Sequence, residues 1–240
     1  MDAYDLQARH APVVLTILPL VLIAVLLVPE FSASPILPAT FGSAVVVAIY
    51  ALLARYARAR GRKIESQFFE VWGGMPTTAM LRHRDDRLNP HTKARFHLAL
   101  RNLGPSFIIP TAEDESVDQA EADRLYASAM DEVRRRAKAK KYTGVRRENI
   151  SYGFCRNMLA LRPVALAINL FCLAGFCWIK WRASEGQFAN LKEADILGVG
   201  VMAIAAMIWI FIIRTSLVQV HAEAYARELF ETIDPVAPPS

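Results

Sequence analysis

The sequence predicts an all-α, polytopic membrane protein: four transmembrane helices, arranged as two hairpins, with a helical cytoplasmic domain between them. Three observations point there. Of the 240 residues 54% are hydrophobic, but they gather in two blocks that flank a long charged middle, the pattern of a membrane chain carrying an inserted polar domain. Each block divides into two uncharged segments of roughly bilayer-crossing length. Lys and Arg collect on one side of those segments, as they do at a cytoplasmic face.

The first hairpin occupies 1–54, with spans at about 13–28 and 36–54; the second occupies 163–213, with spans at about 163–179 and 196–213. None of the four contains Asp, Glu, Lys, Arg or His, as contact with lipid demands. Pro12, Pro19 and Pro29 punctuate the first. It reads as a retained span, because residues 1–12 hold Asp2 and Asp5 against Arg9 and Ser32-Ala33-Ser34 runs into Pro35, neither of which suits a cleaved signal peptide. Arg55, Arg58, Arg60, Arg62 and Lys63 follow the second span, and Arg146, Arg147, Arg156 and Arg162 precede the third. The positive-inside rule then places both termini and the middle in the cytoplasm, with Trp178 and Trp181 at the outer interface. The lysines and arginine of 180–195, namely Lys180, Arg182 and Lys192, are fewer.

The domain 55–162 holds 22 Lys and Arg against 13 Asp and Glu, so it reads as basic; 214–240 is left as a cytoplasmic tail. The second span is expected to continue as helix to Val71 and stop at Gly73-Gly74. A helix from Thr77 or Thr78 to Leu88 follows. Another starts with Asn89 as N-cap and Pro90 at its first position, buries Phe96, Leu100 and Leu103, and stops at Gly104-Pro105. Phe107-Ile108-Ile109 reads as extended. A longer helix opens with Ser116 and Gln119 at capping-box spacing and buries Tyr126, Met130, Val133 and Ala137. Its acidic start (Glu113, Asp114, Glu115, Asp118, Glu121, Asp123) and basic end (134–141) match the helix dipole. A last amphipathic segment with Ile150, Phe154, Met158 and Leu161 leads into the third span.

The most distinctive segment is Trp72-Gly73-Gly74-Met75-Pro76-Thr77-Thr78, followed by Arg82-His83-Arg84-Asp85-Asp86. A glycine pair and two threonines before a helix present N–H groups and hydroxyls to an anion; Arg82 and Arg84 add charge, and Lys93, His97 and Arg101 repeat at helical spacing. Gly73, Gly74, Thr77, Thr78, Arg82, Arg84, Lys93, His97 and Arg101 are therefore the candidate anion-binding residues. The same pattern also suits a plain turn beside a solvated basic face. No Walker lysine or G-x-G-x-x-G accompanies it. His83-Arg84-Asp85 matches the kinase triplet over three residues only, and Asn89 comes one position early. His83, Asp85, Asp86, His91 and His97 lack the spacing of a metal motif, and Cys155, Cys172 and Cys177 form neither C-x-x-C nor a disulfide framework. No cofactor, metal or catalytic residue is assigned.

Within the spans, Asn169, Thr16 and Ser43 are the notable polar groups. Asn169 is expected to hydrogen-bond a neighbouring helix, and Ala44 with Ala48, or Asn169 with Ala165, offers a close contact within one protomer or in a homo-oligomer.

The W-G-G-M-P-T-T segment between two helical hairpins resembles uncharacterised small integral membrane proteins of bacteria. That resemblance covers the layout and one motif; it implies an inner-membrane setting and carries no activity or functional residue with it. The leading expectation is a membrane-anchored sensing or effector module whose basic domain binds an anionic ligand, a nucleotide or a lipid headgroup. The alternatives are an inner-leaflet enzyme acting on a phosphate-bearing lipid, favoured if His83, Asp85 and His97 converge in a pocket, and a ligand-free membrane scaffold, favoured if the domain is filled. Few aromatics interleave with the basic end of 134–141, so sequence-specific nucleic acid is not an expected partner.

Overall fold

Long uncharged runs leave the backbone no partner but itself, and helix is the outcome. The computed structural model describes residues 5–31, 36–105, 107–140, 142–187 and 192–234, with side chains except at 5, 28–31, 36–44 and 140. Among the described residues every regular element is helical: a π-helical turn Asp5–His10, α1 (Ala11–Phe31), α2 (Ile36–Val71), α3 (Pro76–Ala79), α4 (Pro90–Asn102), α5 (Ala112–Val117), α6 (Gln119–Lys140), α7 (Thr143–Ala183), α8 (Glu193–Met207), a second π-helical turn Ile208–Ile212, and α9 (Thr215–Glu231). Among the described residues three helical stretches, Leu6–Leu27, Thr143–Ala183 and Glu193–Ile212, are long and apolar enough to cross a membrane. The predicted span 36–54 opens α2; part of it, with Ser43 and Ala44, lies outside the described side chains.

The chain divides into two compact units, Met1–Lys63 with Gly153–Leu217, and Ile64–Tyr152 with Val218–Ser240. In the first, Val13, Ile17, Leu53, Ala57, Met158, Leu161, Ala165, Trp209 and Ile213 form one core cluster and Leu27, Cys172, Phe176 and Met202 another. Small residues permit close helix approach: a Cβ on Gly61 of α2 would lie 2.9 Å from Asn157 Oδ1 of α7, and one on Gly198 of α8 would lie 2.6 Å from Leu26 Cδ1 of α1. Asn157 donates Nδ2–H to Ala8 O at 2.7 Å, and the Tyr50 hydroxyl bonds to His10, whose ring stacks on it. Lys180 meets Asp195 at 3.1 Å, both nearly buried, joining the end of α7 to the start of α8. The outer faces stay apolar, with Val25, Val47, Leu52, Phe171, Leu197 and Phe211 all exposed. An apolar surface of that kind needs a cover, and lipid suits it.

One polar detail differs from expectation. Asn169 is fully buried, yet neither atom of its amide has a hydrogen-bond partner among the described residues. Ala165 beside it is also buried within the protomer, so this pair does not offer a surface for a second copy. Pro163, where the third predicted span begins, lies inside continuous α7, which carries the amphipathic segment straight into that span. Near it, Arg162 donates to Ile210 O at 3.1 Å, where the π turn and the Ile213 break (ψ 86°) between α8 and α9 loosen the regular ladder.

In the second unit the expected stops and starts are built from side chains. Gly73 (φ 74°) and Gly74 (φ 130°) end α2; Gly74 N–H bonds back to Phe69 O and Gly73 N–H to Glu70 O, the Schellman arrangement that a left-handed glycine allows. Asn89 Oδ1 accepts His91 N–H at 2.9 Å. Phe107 and Ile109 are buried while Ile108 is exposed, the alternation of extended chain. The long acidic-to-basic helix is instead two. Thr111 and Asp114 make a capping box for α5, Asp118 breaks the run at φ −138°, and its carboxylate accepts Glu121 N–H to cap α6. Ser116, read as the cap, bonds Glu113 O.

The segment 214–240 supplies core. Ala226, Leu229 and Phe230 of α9 are fully buried among Met80, Leu81, Phe96, Leu100, Tyr126, Met130 and Val133, with the Phe96 and Phe230 rings 5.3 Å apart. Ion pairs Arg87–Glu223, at the middle of the helix, and Arg95–Asp234, just beyond its end, tie this segment down. Charge follows the same division. The second unit holds 16 Lys and Arg against 17 Asp and Glu, the first 12 against 6, so the basic excess read from 55–162 sits on the first unit. Phe230→Ala is expected to cost about 3–5 kcal/mol and Val220→Ala, at an exposed site of the same helix, within about 0.5 kcal/mol; thermal unfolding of the purified protein in detergent reads both.

Candidate functional site

The candidate residues are drawn around the turn 81–88. After the glycine cap, α3 is a single turn with Pro76 at its first position and no side-chain cap from Met75. Thr77 and Thr78 are buried, and the Thr77 hydroxyl has no hydrogen-bond partner among the described residues. The space before this turn is filled by Arg82. Its guanidinium makes a two-point pair with Asp123, 2.7 Å on each arm, and also donates to Gly73 O. A Cβ on Gly74 would stand 2.7 Å from Arg82 Nη2. The glycine pair thus admits a guanidinium from the same chain.

Beyond α3 no helix continues to Leu88, because two buried charges hold the backbone open. Glu115, 3% exposed, accepts the N–H groups of His83 (2.8 Å) and Arg84 (3.2 Å), the Tyr126 hydroxyl (3.0 Å) and Arg84 Nη1 (2.8 Å). Lys93, 6% exposed, donates to the carbonyls of Arg82 and Asp85. Amide hydrogens go to a carboxylate and carbonyls to an ammonium, so the turn is satisfied without helix. Arg84 reaches Asp123 as well at 3.1 Å. Asp85 is bound by Arg87, and Arg101 donates to Ile109 O at 3.1 Å.

The histidines sit inside this frame. His97 Nε2 lies 2.7 Å from Leu81 O; a carbonyl only accepts, so Nε2 carries the proton. His83 Nε2 makes the same kind of bond with Pro110 O, and its ring meets His97 edge-on at 4.8 Å. His97 also stacks on Tyr126. Burial pushes the His97 pKa down to about 4, against the Leu81 carbonyl, with His83, Arg101 and Lys93 adding to the fall. Burial acts to raise the Glu115 pKa, but the His83 and Arg84 amides, Tyr126 and Arg84 hold it below the ordinary carboxylate value. Burial and Glu115 keep the Tyr126 phenol protonated.

All nine candidate residues therefore belong to or border one cluster, in which the five charged or imidazole side chains bond the protein itself and the Thr77 hydroxyl stays unpartnered among the described residues. His83 and His97 come together; Asp85 does not join them. The residues that organise the cluster, Glu115, Asp123 and Tyr126, are absent from the sequence-derived set. Their acids read as helix-dipole charges, and only their inward turn distinguishes them from Glu113 or Glu121. A cavity of about 200 Å³ lies elsewhere on the unit, lined by Phe107, Ile108, Leu125, Ser128, Ala129 and Glu132, and contains none of the nine. Compared with protein-family models, curated proteins and solved structures, the chain matches none.

The depressed His97 pKa sets a pH dependence. Between pH 6.5 and about 4 the unfolded chain binds a proton that the folded unit does not, so acidification through that window removes stability, by at most about 3 kcal/mol. Below it, protonation of Glu115 removes more as pH falls through its lowered pKa. His97→Gln, which retains a donor for Leu81 O, is expected to flatten the upper part of the curve; chemical denaturation across pH measures the slope.

Proposed function

We propose that this chain is a non-catalytic membrane scaffold, whose four spans hold the second unit as a pre-folded helical platform on the cytoplasmic face of a bacterial inner membrane. The observation that carries this reading is the closed ionic network: Arg82, Arg84, Lys93, His97 and Arg101 each already bond a carboxylate or carbonyl of the chain. An anion entering there would have to displace Asp123 or Glu115, losing pairs that are partly or fully desolvated. A filled cluster of this kind supports a platform over a binding pocket or an active site.

The fourth span is α2 over 36–54, and the topology follows from charge. Arg55, Arg58, Arg60, Arg62, Lys63, Arg156, Arg162 and Arg214 flank the spans on the side that continues into the second unit, whereas the opposite side offers Lys180, Arg182 and Lys192 beside Glu185, Glu193 and Asp195. The inner-membrane setting is proposed on the resemblance in layout read from the sequence alone.

Two measurements address the two halves of the reading. Thermal unfolding of the purified protein with ATP, GTP or inorganic phosphate is expected to show no saturable rise in Tm; a ligand that binds the native state must raise it, and such a rise would replace the scaffold with a binding module. In a cysteine-free background, single cysteines at 34 and 187 are expected to react with an impermeant thiol reagent on intact cells and one at 128 only after permeabilisation. Labelling of 128 alone on intact cells would invert the topology.

A further inference from the structure

Three arginines of α2 stand without protein partners among the described residues. Arg55, Arg58 and Arg62 are exposed and make no hydrogen bond or ion pair among the described residues. Elsewhere the chain supplies counter-charge even at its surface: Arg124, Arg135, Arg136 and Arg147 each pair with a glutamate. Along α2 the acids are Glu65 and Glu70, both beyond the stripe, and Glu65 accepts the Tyr152 hydroxyl. At 100° per residue the three arginines fall within about 60° of one another. Arg55–Arg58 and Arg58–Arg62 are like charges at i,i+3 and i,i+4, an arrangement that opposes helix unless an anion lies between them.

The face they occupy has a second half. Leu53, Ala57 and Gly61 form the buried seam of this part of α2. Away from that seam, Val47, Ala51, Arg55, Arg58 and Arg62 run in one line at spacings of four, four, three and four residues, all exposed. The line changes from apolar to basic within one turn and extends about 22 Å. Beside the change Tyr56 is 37% exposed and accepts a hydrogen bond from Arg60, an amphipathic ring where membrane interfaces place them.

We propose that this line is a binding site for an anionic phospholipid, its phosphate held by Arg55, Arg58 and Arg62 and an acyl chain lying along Ala51 and Val47. A free phosphate would meet the charge but leave the apolar half uncovered; a lipid matches both. The inference rests on α2 crossing the bilayer, as proposed above. Its test uses purified protein and reads no orientation, so it and the topology can fail separately.

The protein is reconstituted into vesicles of phosphatidylcholine with a minor share of phosphatidylglycerol, extracted in mild detergent, and its retained lipids quantified by mass spectrometry. Wild type is expected to retain phosphatidylglycerol several-fold above its share in the vesicle. Each Arg→Gln change in the stripe is expected to lower that enrichment by about fivefold at most, and R55Q/R58Q/R62Q to abolish it. The corresponding triple lysine variant retains enrichment, and R124Q/R135Q, on the second unit, leaves it unchanged. Should the triple glutamine variant not fold, R58Q and R62Q singly carry the test. No enrichment in wild type, full enrichment in the glutamine variants, or an equal loss in R124Q/R135Q overturns the proposal.

Discussion

A carboxylate buried in a polar domain is costly unless hydrogen bonds surround it, and Glu115 meets that condition by taking two backbone amides, a phenol and a guanidinium. Because it takes the His83 and Arg84 amides, the chain after α3 cannot continue as helix. Lys93 completes the exchange by binding the carbonyls of the same turn. The opened turn then delivers Arg82 to Asp123 and the glycine cap, His97 to the Leu81 carbonyl, and Arg87 to α9. Substituting either buried charge would leave several polar groups unsatisfied at once.

That dependence explains which parts of the structure were legible. Local chemistry was readable: Asn89-Pro90 starts a helix, Gly73-Gly74 ends one, and Tyr126, Met130, Val133 and Ala137 line a buried stripe. Each depends on neighbours a few residues apart. Glu115 and Asp123 find partners about thirty to forty positions away, and their sequence context fits a helix dipole equally well. Helix α9 left a fainter trace. Val218, Ala222, Ala226, Leu229 and Phe230 are buried at helical spacing, but two of the five are alanine, so the apolar stripe is weak until its partners are known. Asp118 outdoes Ser116 as a cap because its carboxylate reaches Glu121 N–H, a choice that spacing alone does not make.

The distribution of charge carries a related lesson. Read as a linear stretch, 55–162 is basic; divided by packing, the excess falls on the ends of the apolar unit, and the polar unit is nearly neutral. The two sets of arginines therefore do different work. Those of the polar unit hold carboxylates and carbonyls of their own chain, while Arg55, Arg58 and Arg62 sit at the foot of an apolar face with no counter-charge among the described residues. Composition cannot separate them, since both are arginine at helical spacing; the partners do.

The place of α9 in the chain bears on how the protein is made. A ribosome releases residues 64–152 well before Leu229 and Phe230, with the last two apolar segments of the first unit translated in between. Until then Phe96, Leu100 and Met130 belong to a core missing one wall. Domains complete during synthesis only when their sequence has emerged, so the polar unit closes last, after the apolar segments have left the ribosome. A chain stalled or cut short before Thr215 carries an unfinished hydrophobic surface, which is the feature that proteases and chaperones act on. Synthesis of α9 is thereby built into the folding of a domain that begins at Ile64.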